Sequence, residues 1–117
     1  MIRNYTWMVC LLLLGCGVVA GCSPKAPESS QAFSHAAPAI KQTWDKAVAE
    51  DKANDYVAAI TDYHRLMAQR SSLSAGQLEV VNAAALAINQ RLYAAANNGD
   101  AAARAASLKL AGMQNQR

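Results

Sequence analysis

Residues 39–117 contain no proline, and only Gly76, Gly99 and Gly112 interrupt them. Nothing in that span forbids a helical backbone, and its commonest residues lose little on becoming helical. β-branched residues are sparse and never alternate, so the period of two that a half-buried strand needs is missing. The span is therefore expected to be all-α. The same residues limit the core. The chain holds 26 alanines, and only 21 larger apolar side chains follow residue 22. A small bundle of three or four closely packed helices is what such side chains can fill.

Local signals place the helices. The first is expected over residues 39–53, with Ile40, Trp44, Ala47, Val48 and Asp51 at helical spacing behind Pro38. Asn54 and Asp55 stop it and cap the second, over residues 56–69, whose apolar face is Tyr56, Ala59, Ile60, Tyr63, Leu66 and Met67. Residues 70–73 read as a loop. Ser74-Ala75-Gly76-Gln77 reads as a capping box, with Leu73 and Leu78 placed for a hydrophobic staple.

A third helix over residues 75–97 would be roughly 34 Å long. Leu78, Val81, Ala85, Ile88 and Leu92 give it a seam with three- and four-residue spacing. Asn97-Asn98-Gly99-Asp100 ends it, with Gly99 suited to a left-handed cap and Asp100 to the next N-cap. A fourth helix is expected from Ala101, with Ala105, Leu108 and Gly112 on one side and a frayed end over residues 114–117.

The amino-terminal part has a different character. Arg3 supplies a basic start, and residues 7–20 are uncharged. That run is short of the roughly 20 apolar residues of a spanning helix and reads as a secretory leader. Residues 23–38 hold all three prolines and four serines, which suits a flexible tether rather than a packed element. The expected organisation is a leader at residues 1–21, an anchor and tether at 22–38 and a helical domain at 39–117.

Val19-Ala20-Gly21-Cys22 resembles the lipobox of bacterial lipoproteins. The resemblance implies a diacylglyceryl group on the Cys22 thiol, cleavage just before Cys22 and an envelope location. Cleavage there leaves 96 residues and removes Cys10 and Cys16, so no disulfide is expected. Ser23 lacks the aspartate that in this family favours inner-membrane retention, which implies the outer membrane where the source has one.

Trp44-Asp45-Lys46-Ala47, followed by Asn54-Asp55-Tyr56 and Ala59 to Tyr63, resembles one tetratricopeptide repeat. The resemblance covers about 30 residues. It implies a helical hairpin in which Ala47 and Ala59 let the backbones approach while Trp44, Tyr56 and Tyr63 fill the gap. The whole pattern is also similar to small bacterial lipoproteins without a known activity.

No chemistry-bearing constellation stands out. His35 and His64 lie on separate elements, and after cleavage Cys22 is the one remaining cysteine, so no metal site or cofactor is expected. Asp45, Glu50, Asp51, Asp55 and Asp62 alternate with Lys41, Lys46, Lys52 and Arg65, the pattern of a solvated helix surface. Ser71, Ser72 and Ser74 have no nucleophile motif, and there is no phosphate-binding glycine loop. The basic residues form no stripe, which argues against nucleic acid, and Arg91, Arg104, Lys109 and Arg117 read as solvated surface.

The function expected from the sequence is therefore non-catalytic. A lipid-anchored helical module would hold another protein through an alanine-lined groove, with Trp44, Tyr56, Tyr63 and Tyr93 as packing or contact residues. The alternative is a self-associating structural envelope lipoprotein without a specific client.

Overall fold

A computed structural model describes residues 31–117. The leader, the lipobox with Cys22 and most of the expected tether lie outside the described residues. Among the described residues there are four α-helices and no strand: α1 (Pro38–Lys52), α2 (Tyr56–Ala68), α3 (Ala75–Asn97) and α4 (Ala101–Gln114). A short 3-10 turn, Gln31–Phe33, precedes α1, and a second, Arg70–Ser72, occupies the loop expected between α2 and α3. The fold is a small all-α bundle.

The connections are short because each carries its own cap. Asn54 adopts a left-handed backbone (φ 56°), and Asp55 accepts from the Ala58 amide at 3.3 Å, so α2 turns straight back along α1. At α3 both halves of the capping box form: Gln77 N donates to Ser74 Oγ (3.1 Å), and Ser74 N donates to Gln77 Oε1 (2.9 Å). Gly99 (φ 92°) reverses the chain, and Asp100 accepts from the Ala103 amide at 2.9 Å. These turns make the helices run up, down, up, down. α2 packs against α1, α3 and α4, so it is the central element.

The core sits where α1, α2 and α3 meet. Ala47 and Ala59 are fully buried between α1 and α2, and Trp44, Tyr63, Leu66, Val81 and Ile88 fill the interior around them. The α3 seam turns inward through Val81, Ala85, Ile88 and Leu92, while Leu78 is half-buried.

Two expectations are corrected. Residues 31–37 belong to the helical domain, not to a tether. Phe33 is buried and stacks on Trp44 with ring centroids 4.4 Å apart and planes 9° from parallel. Gln77 Nε2, freed for this by using its oxygen in the capping box, donates to Ala32 O at 3.0 Å. Burying one phenyl side chain contributes about 2–3 kcal/mol, which a core short of large residues gains by drawing in an extra aromatic.

The second correction concerns α4. It buries Ala103, Ala106 and part of Leu110, whereas Ala105 and Leu108 face solvent. Alanines surround this helix on every side, so its rotation follows from the tight turn at Gly99. Asp100 caps one end of that turn, and Arg104 Nε donates to Ala96 O at 3.2 Å across it.

Candidate interaction surface

The four aromatic residues singled out from the sequence separate into different environments. Trp44 and Tyr63 are interior, with ring centroids 5.9 Å apart and tilted by 48°. Tyr56 is half-buried at the start of α2. It lines a shallow groove of about 360 Å³ with Val57, Ala102, Ala105, Ala106 and Lys109 between α2 and α4. Tyr93 is 74% exposed on the outer side of α3. Cys22 lies outside the described residues.

Tyr63 does more than fill space. Its hydroxyl donates to Asp51 Oδ2 at 2.7 Å, and Asp51 is fully buried at the end of α1. Arg91 of α3 pairs with Asp51 Oδ1 and also donates to the Asp51 carbonyl at 3.2 Å. Burial, then the hydrogen bond to Asp51, holds the Tyr63 hydroxyl far above the ordinary phenol range. The three side chains lock the middle of α2 and the outer half of α3 onto the end of α1.

Asp62 is also buried. It is held by Arg65 Nη1 at 2.6 Å and by Lys46 Nζ at 3.1 Å, and Lys46 also reaches Glu50 at 3.3 Å. Burial, followed by the neighbouring Asp62, raises the Glu50 carboxyl above its usual range. The Asp62 and Glu50 hydrogen bonds raise the Lys46 ammonium. Asp51, Asp62 and Arg91 were expected on the solvated surface, and the structure places them inside or at the edge of the core. For Asp51 a signal existed, because it continues the stripe of Ile40, Trp44, Ala47 and Val48. Arg91 and Asp62 carried no comparable signal.

What remains at the surface is apolar or amide-rich. Leu86 (61% exposed) and Tyr93 lie two turns apart on one face of α3. Around them are Asn82, Asn89, Gln90 and Asn97, and no charged residue occurs on α3 between Glu79 and Arg91 or beyond Arg91. Leu108, on α4, is 76% exposed. An open cleft of about 410 Å³ separates α2 from the last turns of α4. Ile60, Leu110 and Met113 supply its apolar lining, Arg65 and Arg117 supply cationic groups, and His64 adds an imidazole. Among the described residues no acidic side chain lines it.

Among the described residues no three His, Cys, Asp or Glu side chains converge as metal ligands. His35 and His64 are both exposed. Also among the described residues, no helix is long and apolar enough to cross a membrane. No protein-family model matches the chain, and no match was found among curated proteins or solved structures.

Proposed function

We propose that this chain is a non-catalytic, lipid-anchored helical module of the cell envelope that holds a partner protein. The observation that carries the reading is the outer face of α3 beyond Glu79, which bears no charge. Two large apolar side chains, Leu86 and Tyr93, stand exposed there in a field of alanine and amide groups. Core positions of protein interfaces are depleted in charge and enriched in aromatics, and a tyrosine offers large contact area at low entropic cost. Trp44 and Tyr63 would act indirectly, by fixing α3 through the interior. Tyr56 would line a secondary groove.

The anchor in this reading is a diacylglyceryl group on Cys22, resting on the likeness of Val19-Ala20-Gly21-Cys22 to a lipobox. Two or three acyl chains hold a protein firmly to a bilayer. With Ser23 after the cysteine, the outer membrane is the destination where the source has one. A mass measurement of the amino-terminal peptide of the mature protein, together with loss of membrane fractionation in Cys22→Ser, tests the anchor.

A second reading is self-association without a client. It is favoured by the same face, because an uncharged surface meets a second copy of itself without repulsion. A photo-crosslinking residue placed at Tyr93 in living cells separates the two. An adduct with a different protein, absent when the residue is placed at Lys52, is expected for the partner-holding role. An adduct of twice the chain's own mass would establish the structural role and overturn the first.

A further inference from the structure

The bundle has two chemically different ends. Because the helices alternate in direction, one end gathers the start of α1, the end of α2, the start of α3 and the last turn of α4. The residues at that end, 31–42, 64–79 and 110–117, include Lys41, Arg65, Arg70 and Arg117 against one acidic residue, Glu79. Lys41 and Arg65 reach back to Asp45 and Asp62, whereas Arg70 and Arg117 have no acidic partner among the described residues. Met113, exposed on α4, adds an apolar side chain beside Arg65 and Arg117. The opposite end, residues 49–58 and 91–105, carries Glu50, Asp51, Asp55 and Asp100 against Lys52, Arg91 and Arg104.

The amino-terminal segment joins the bundle at its basic end. Phe33 is seated on Trp44 and Ala32 on Gln77 of the first turn of α3. Eight residues separate Gln31 from Cys22. Even fully extended, that link reaches about 30 Å. α3 alone is roughly 34 Å long. A chain anchored at Cys22 therefore cannot stand on the bilayer with its Asn54 and Gly99 end down, since the link would have to run the length of the bundle. Were the tether free up to Pro38, no such restriction would hold.

Resting on the lipid anchor proposed above, we infer that the basic end of the bundle docks on the surface of a bilayer containing anionic phospholipid. Arg70 and Arg117 contact the headgroup phosphates, and the anchor and the docked end together fix which way α3 faces. Each cation at such a surface strengthens binding roughly fivefold, and the effect fades within a Debye length of about 8 Å.

Hydrogen exchange on the full chain, mixed with vesicles of phosphatidylcholine alone or with phosphatidylglycerol added, tests this, with flotation read in parallel. The expected result is flotation with both vesicles, with slowed exchange at residues 69–74 and 114–117 only where phosphatidylglycerol is present. The turns at 53–55 and 98–100 stay unchanged. Arg70→Gln with Arg117→Gln lowers the affinity of the end for the surface roughly 25-fold and removes the slowing, without altering flotation. Flotation without slowing at the basic end overturns the docking and leaves the anchor standing. Flotation and slowing confined to anionic vesicles support the docking and overturn the anchor. Equal slowing at both ends overturns the docking.

Discussion

Replacing Arg91 with methionine removes the cation that faces fully buried Asp51 while keeping most of the packed stem. Asp51 would retain one hydrogen bond, from Tyr63 at 2.7 Å. Breaking a buried pair by deleting one partner costs about 3–5 kcal/mol, because a charge is left uncompensated in a medium that solvates it poorly. A smaller effect opposes this. Among the described residues, Arg91 Nη1 and Trp44 Nε1 are buried without hydrogen-bond partners, so the substitution also discards one unsatisfied donor, worth about 1 kcal/mol or somewhat more. The desolvated charge wins, and the net loss is expected near 3 kcal/mol. A domain of this size is stable by roughly 4–13 kcal/mol in total. The loss corresponds to a fall in Tm of about 12 °C or more. Circular dichroism at 222 nm, followed through thermal and urea unfolding, reads it directly. The triple variant Asp51→Leu, Tyr63→Phe, Arg91→Met then recovers most of the loss, since an apolar trio of similar volume leaves no buried charge or hydroxyl without a partner. A single variant within 1 kcal/mol of wild type would refute the reasoning, and so would a triple variant no more stable than the single one.

Phe33→Ala is expected to cost about 3 kcal/mol and to change the near-ultraviolet dichroism of Trp44, and trimming the chain to begin at Ser34 has the same effect. Urea midpoints check both, and an unchanged midpoint would mean that the Gln31–Phe33 turn contributes nothing. Ser74→Ala removes the cap of α3 and lowers stability by about 1 kcal/mol in the same assay. Glu50→Gln depends on pH. Burial and Asp62 raise the folded-state carboxyl above its unfolded value of 4.5, so Glu50 contributes fully below that value and the contribution is lost as pH rises through the folded value. The variant is expected to be more stable than wild type at pH 7 and no more stable at pH 4, as read by urea melts at the two pH values. Leu86→Ala with Tyr93→Ala leaves stability within about 0.5 kcal/mol of wild type, because both side chains are solvent-exposed, yet abolishes the crosslinked adduct proposed for α3.

The sequence by itself determined where each helix starts and stops. Ser74 with Gln77, Asn54 with Asp55 and Gly99 with Asp100 act on backbone groups within about four residues, so their effect is present in any fold the chain adopts. It also determined the inward stripes of α1, α2 and α3, because large apolar residues recur there on one face only. Three features were decided by tertiary structure alone. The inward face of α4 could not be read because alanines surround that helix, and the turn at Gly99 sets its rotation against α2 and α3. The pairing of Asp51 with Arg91 spans 40 residues and exists only once α3 lies on the end of α1. Phe33 is the one large apolar side chain in its proline- and serine-rich surroundings, but its docking site exists only once Trp44 and Gln77 have been brought together to receive it. A cap needs only its neighbours along the chain, whereas a buried charge or a docked aromatic needs neighbours that folding has to supply.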